Sequence, residues 1–301
     1  MSLDFTGRVA VVTGAGQGLG RSHALLLGSR GASVVVNDLG SSGTGEGSDA
    51  TVADQVVAEI KSAGGEAVAN PDSVLDGERI VECALDHFGR VDIVINNAGI
   101  LRDKSFHKMS DEDWGLVYDV HLRGAFKVSR AAYQRMRDQG YGRFVMTTSA
   151  AGIYGNFGQA NYSACKLALH GLSQTIAIEG AKNGILSNTI APLAASRMMG
   201  TIMSEEAMQK LDPGAVSPLV AKLCHESCDV SGGLFEVAAG WMAQLRWERT
   251  RGVYLPPSEV TLEGVDEAWA EIKDFANSMN PTSTVDTMKT VGESPFLSGD
   301  D

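Results

Sequence analysis

The segment RVAVVTGAGQGLG, residues 8–20, decides the fold. Its first half, RVAVVTG, is a short run of β-branched and small apolar residues without polar alternation. That is the pattern of a strand buried on both faces. Gly14, Gly18 and Gly20 follow, and then an amphipathic stretch from about 19 to 30. Glycines allow a tight turn and let backbone N–H groups come close to an anion. A helix that starts at such a turn points its positive end at the same place. Strand, Gly-rich turn and helix in this order predict a site for the pyrophosphate of a dinucleotide.

The same alternation continues outward. Strands are expected at 32–38, 66–70, 91–97, 142–149, 185–191 and 233–239, and helices at about 49–63, 74–88, 111–139 and around residues 159–182. The result is an α/β chain: a doubly wound, seven-stranded parallel sheet of the Rossmann-like kind, with helices on both faces and a C-terminal extension. We place the sheet domain at 1–240 and the extension at 241–301. The extension carries one helical stretch near 263–276 and about 15 loose residues at its end. GSSGTGEGS at 40–48 reads as a flexible loop.

Bulk properties narrow the function. The chain has 301 residues, 44% hydrophobic and 21% charged, as in ordinary globular proteins. A net charge of −12 argues against nucleic acid as a partner. No run of about 20 apolar residues suggests a membrane span. The N-terminus is not secretory and the final SGDD is not a Ser-Lys-Leu address, so a cytoplasmic location is expected. CHESC at 224–228 lacks a second Cys/His pair to complete a metal site, and it reads as a helix end with two half-buried thiols.

Doubly wound sheets bind ligands beyond the carboxyl ends of their strands, so residues just after each strand matter most. Asp38 ends the second strand. Its carboxylate suits the adenine-ribose hydroxyls and repels a 2′-phosphate, which favours NAD over NADP; Arg21 is the residue that would weaken that preference. NYSACK at 161–166 places Tyr162 and Lys166 four apart, on one helix face, where a cation would favour ionisation of the phenol.

Together these motifs resemble the short-chain dehydrogenase/reductase family. The matches are TGAGQGLG at 13–20, Asp72 after the third strand, NNAG at 96–99, Ser149 after the fifth, and Tyr162 with Lys166. A closer likeness is to the (3R)-hydroxyacyl-CoA dehydrogenases of that family. It runs through NNAGILRD (96–103), HLRGAF (121–126), SAAGIYGNFGQANYSACK (149–166), GGLFEVAAGW (232–241) and LRWERT (245–250).

The resemblance implies roles. Tyr162 would take the hydroxyl proton, Lys166 would hold the nicotinamide ribose and assist the phenol, and Ser149 would bind the substrate oxygen. Gly14, Gly16, Gln17, Gly18, Leu19 and Gly20 would cradle the pyrophosphate. Asp38, Asp72 and Ser73 would serve the adenosine end, and Asn97, Ala98 and Gly99 would line the cleft. His121 stands where many members carry an asparagine, either as a relay that titrates near neutral pH or as packing. Pro192-Leu193 replaces the usual Pro-Gly. The helices at 111–139 and 159–182 would build a homodimer or homotetramer, with the extension near the active site and the dimer interface.

The implied reaction is NAD-dependent oxidation of (3R)-hydroxyacyl-CoA esters. Other readings are a hydroxysteroid dehydrogenase and a non-catalytic NAD-binding sensor. Met198, Met199, Met203 and Met208, with Tyr154, Phe157 and Trp241, are read as helix packing or as a pocket lining for an acyl or sterol group.

Overall fold

The computed structural model describes residues 3–193 and 211–296. The four methionines named above lie outside the described residues. Strands β1 (Val9–Thr13), β2 (Ser33–Asn37), β3 (Glu66–Asn70), β4 (Ile93–Asn96), β5 (Gly142–Thr147), β6 (Ile185–Pro192), β7 (Leu234–Ala238) and β8 (Trp241–Leu245) form one sheet in the order β3-β2-β1-β4-β5-β6-β7-β8. Every pairing from β3 to β7 is parallel. The doubly wound α/β fold therefore holds, with eight strands rather than seven.

The extra strand has a local cause. Ala239 and Gly240 both have positive φ, 47° and 85°. Two such central residues make the turn that reverses a chain between adjacent strands. Trp241–Leu245 thus folds back beside β7. Its residues are exposed or half-buried, which hides the strand from hydropathy.

Side chains alternate between the two faces of the sheet, and each face has its own core. Ala10, Val12, Val34, Val36, Ile93 and Ile95 pack under helices α1 (Gly18–Ser29) and α2 (Thr51–Ser62). Val9, Val11, Val35, Val94, Phe144 and Met146 pack on the other side, against α3 (Gly77–Phe88) and later helices. Burial on both faces explains why these strands read as continuous apolar runs.

The expected helix at 111–139 is divided. Ser110 caps α4 (Asp111–Tyr118) by accepting from the Asp113 N–H at 3.1 Å. A π-helical turn, Asp119–Arg123, follows, and then α5 (Gly124–Gln139). Beyond β5 come α6 (Ala150–Tyr154) and α7 (Ala160–Gly180). Helix α8 (Ser217–Cys224) stops at Cys224, so Cys228 is not on its face; both thiols are fully buried, not half-buried as expected. Tyr154, Phe157 and Trp241 are largely exposed, not packed.

Two polar clusters tie the layers together. Below the sheet, at the amino ends of β1, β4 and β5, the fully buried Asp92 accepts from the Val9 N–H at 2.9 Å and from Arg90 at 2.8 and 2.6 Å, with Arg8 at 3.5 Å. The Arg8 and Arg143 guanidiniums lie 3.7 and 4.2 Å from the Tyr141 ring centre.

Between α1 and α8, the buried His23 meets the Ser217 hydroxyl at 2.8 Å, and burial pushes its pKa down to about 3. A histidine held neutral in the fold and titrating at about 6.5 when unfolded stabilises the native state fully above pH 6.5. That stability is lost as pH falls toward 3. We expect His23 to cost about 2 kcal/mol at pH 5 relative to pH 7. His23→Gln removes that part of the loss; urea unfolding at the two pH values measures it.

The chain divides into two compact units, with the boundary at Gln244–Leu245. The second contains α9 (Leu262–Glu267), α10 (Trp269–Ile272) and α11 (Thr284–Gly292). Where a single stretch near 263–276 is expected, two short helices stand. The polar end, expected to be loose, carries α11, whose start is fixed by a Ser283–Asp286 capping box.

Candidate active site

The strand order reverses between β1 and β4, and the Gly-rich turn lies at the carboxyl end of β1. Gly14 (φ 62°) and Gly18 (φ 55°) have left-handed backbones. A Cβ on Gly20 would lie 2.1 Å from the Gly14 carbonyl, and one on Gly16 would lie 2.5 Å from Val52 and 2.9 Å from the Asp38 carboxylate. The turn therefore folds flat, with the amino end of α1 behind it. This fits a pyrophosphate, which needs close approach and N–H donors. The Leu19 side chain packs toward the core, leaving its backbone to the turn; Gln17 precedes α1 without capping it.

Asp38 accepts from the Gly16 N–H at 2.8 Å and the Gly40 N–H at 2.7 Å. Each oxygen keeps a lone pair for a ribose hydroxyl. Arg21 pairs with Glu59 at 2.5 Å. Asp72 is bound by Asn70 at 2.9 Å and Arg79 at 3.3 Å, and Ser73 caps a short helical turn through the Leu75 N–H. The Asn97 amide donates to the carbonyls of Thr13 (3.1 Å) and Gly14 (3.0 Å), so its side chain braces the turn from β4. Ala98 donates its N–H to Thr13, whose hydroxyl also receives the Asn97 N–H.

Opposite the turn, Ser149 caps α6, and Tyr162 and Lys166 stand on successive turns of α7. Gly152 lets α6 lie on α7, since a Cβ there would be 2.8 Å from that of Lys166. The buried Lys166 ammonium donates to the Thr147 carbonyl at 2.6 Å and lies 5.4 Å from the Tyr162 ring centre. A hydrogen bond with Ser149 favours the ionised phenol, but burial outweighs it and raises the Tyr162 pKa. Burial lowers Lys166 to about 7. Adjacency in sequence suggested that the lysine would make the phenol more acidic. The fold reverses the balance, because burial of the phenol outweighs what favours its ionisation.

His121 lies on the π turn, fully buried, edge-on to Tyr162 with ring centres 5.2 Å apart. Its Nε2 faces both the Ile100 N–H (3.0 Å) and the Ile100 carbonyl (2.8 Å), and Nδ1 has no partner among the described residues. Burial, with the Lys166 charge next, pushes its pKa down to about 3. The imidazole is therefore neutral at pH 7, not titrating there as expected of an ordinary histidine. Gly99 is required beside it, as a Cβ would come 2.5 Å from Cε1.

Several neighbours escape the sequence motifs. The fully buried Asn161 donates to the carbonyls of Arg102 (3.2 Å) and Asp113 (3.1 Å) and accepts from the Tyr162 N–H at 2.8 Å. The 40–48 loop, expected to be flexible, is laced to the segment after β4. The Leu101 N–H donates to Gly43 at 2.9 Å, and Arg102 donates to the Thr44 carbonyl at 2.8 Å and pairs with Glu46 and Asp113. Among the described residues, no group of three or more His, Cys, Asp or Glu is placed to hold a metal ion, and no helix is long and apolar enough to cross a membrane.

A Gly-rich turn and a strand-two carboxylate on one side, and a buried Ser–Tyr–Lys group on the other, define an oxidoreductase that acts on CH–OH groups with NAD(H). The short chain dehydrogenase family model matches residues 8–209, and the chain belongs to that family. It is 57% identical over 281 residues to the Mus musculus peroxisomal multifunctional enzyme type 2, covering 93% of this chain and 38% of that protein. It is 54% identical to the Dictyostelium discoideum peroxisomal multifunctional enzyme A, covering 97% of this chain and 66% of that one. The full-length type 2 enzyme of Drosophila melanogaster superposes with a TM-score of 0.83 at 44% identity, over 97% of this chain and 50% of that one. The chain thus spans between about a third and two thirds of these relatives. Their names correct the expected cytoplasmic location, since they are peroxisomal enzymes. An address is read at the end of a whole protein, so SGDD in a chain spanning part of its relatives says nothing on this point.

Proposed function

We propose that the chain oxidises the 3-hydroxyl of (3R)-hydroxyacyl-CoA esters to the 3-keto esters, with NAD. The observation that carries the reading is the convergence of Ser149, Tyr162 and Lys166 at the carboxyl end of β5, across the strand-order reversal from the Gly-rich turn. Tyr162 takes the hydroxyl proton, and Ser149 holds the substrate oxygen and steadies the charge that develops on it. Lys166 holds the nicotinamide ribose. NAD, when bound, accepts the hydride through its oxidised ring. His121, neutral and packed on Tyr162, fixes the ring plane. Asp38 takes the adenine-ribose hydroxyls and excludes a 2′-phosphate, and Arg21, engaged by Glu59, does not reverse that preference.

The relatives' names support a peroxisomal setting, and a Mycobacterium tuberculosis hydroxyacyl-CoA dehydrogenase, 39% identical over 72% of this chain, supports the acyl-CoA substrate. A panel of 3-hydroxyacyl-CoA esters in both configurations, beside free hydroxysteroids, tests the reading through NADH formation. We expect turnover of the (3R)-esters alone. Turnover confined to the free steroids, or none at all, refutes it.

A homodimer or homotetramer belongs to the same proposal. Phe126 on α5 and Leu167 and Ile178 on α7 are 44, 38 and 71% exposed. An exposed apolar set on two long helices suits burial against a second copy.

A further inference from the structure

Asp103 lies in the segment after β4, where three consecutive residues are tied to the start of α7. The Arg102 carbonyl accepts from Asn161 at 3.2 Å, the Asp103 carboxylate accepts from Gln159 at 2.9 Å, and the Lys104 N–H donates to the Gly158 carbonyl at 2.9 Å. Gln159 is itself buried and braced by Asn156 at 2.8 Å. Gln159 is the N-cap residue at which α7 starts, Tyr162 lies in the first turn, and Lys166 follows it on the same face. A carboxylate fixed on Gln159 is thereby fixed beside the turn that carries the phenol. Its second oxygen, Oδ1, is buried without a partner among the described residues. Such an arrangement costs stability without adding a bond, which is expected where a charge serves the site.

We propose that Asp103 is a positioning residue for Tyr162, aligning the first turn of α7 through Gln159 and setting its carboxylate beside the start of the helix that carries the phenol. The inference rests on Tyr162 being the base. Among the described residues, the titratable groups around that phenol are Lys166 and Cys165 on α7, His121 on the π turn, and Asp103. His121 is neutral above about pH 3, and burial holds Cys165 up at about 11. Burial raises the Asp103 pKa against the lowering hydrogen bond from Gln159; once ionised, its carboxylate opposes ionisation of Tyr162.

The test is the pH profile of kcat/KM for oxidation. Asp103→Asn keeps an acceptor for Gln159 and removes the charge. We expect its ascending midpoint to fall by about half a unit to one unit, which raises kcat/KM roughly three- to tenfold below the midpoint. Asp103→Glu returns the midpoint to the parent value. Ultraviolet titration of the phenolate, taken as a difference against Tyr162→Phe, shows the same downward move without turnover. If the Asn variant does not fold, Asp103→Ser, also uncharged and able to accept, decides by the same titration. A midpoint that stays put or rises in both readouts overturns the inference. If Tyr162→Phe is inactive while the Asp103 variants leave the midpoint unmoved, this inference alone fails. If Tyr162→Phe turns over normally, the proposed reaction fails with it.

Discussion

Tyr162→Phe is expected to lower kcat by about a thousandfold or more and to leave NAD affinity within about twofold. The size follows from what is removed. A positioned acid–base group contributes on the order of 10²–10⁴ in rate, and the oxygen that shares a hydrogen bond with Ser149 disappears with it. A thousandfold loss corresponds to about 4 kcal/mol of barrier. In the proposed reaction the dinucleotide is held mainly elsewhere, by the Gly14–Gly20 turn, Asp38 and Lys166, none of which needs the phenol oxygen for its place. Phenylalanine keeps the edge contact with His121, so the fold should be intact. Titration of NAD by fluorescence, beside steady-state turnover, separates the two effects. A variant that still oxidises substrate at the parent rate rules out the role assigned to Tyr162.

Asp92→Ala should have the largest effect on stability, about 3 kcal/mol or more, with a fall in Tm of about 10 °C. The carboxylate is fully buried and serves the Val9 N–H and the Arg90 and Arg8 guanidiniums together. Its loss leaves a buried N–H without an acceptor and clustered cations without a counter-charge. The arginines are partly exposed and recover some hydration, which keeps the cost at the lower end of the range for broken buried pairs. Asp92→Asn, which still accepts from Val9, should cost less. Because the cluster sits at the amino ends of the strands, away from the Gly-rich turn, kcat at low temperature should be near the parent value. Thermal unfolding followed by circular dichroism and an assay in the cold measure both. An unchanged Tm would show that the cluster is not a stabilising unit.

The sheet was legible in the sequence because strands buried on both faces must be apolar throughout. Val9–Thr13, Ser33–Asn37 and Ile93–Asn96 lie within one or two residues of the expected runs. Strand β8 was not, since Trp241–Leu245 is half-solvated and its turn uses Ala239 where asparagine is the usual signal. The π turn has no composition of its own, so α4 and α5 read as one helix. The side chains proposed to be catalytic stand in motifs, but their electrostatics were not legible there. Spacing places Lys166 beside Tyr162 without revealing that both are desolvated. The 40–48 loop looked flexible by composition. What pins it is Arg102, a partner distant in sequence that no local reading can supply.

The π turn at Asp119–Arg123 gives the long helix one residue more than regular winding would use. Everything ahead of it, including Trp114 and Val117, is therefore rotated by roughly 100° relative to α5. Shortening the segment by a single residue would let the winding run on unbroken and would swing the imidazole out of the interior. The chain thus keeps its histidine in place by miscounting a helix.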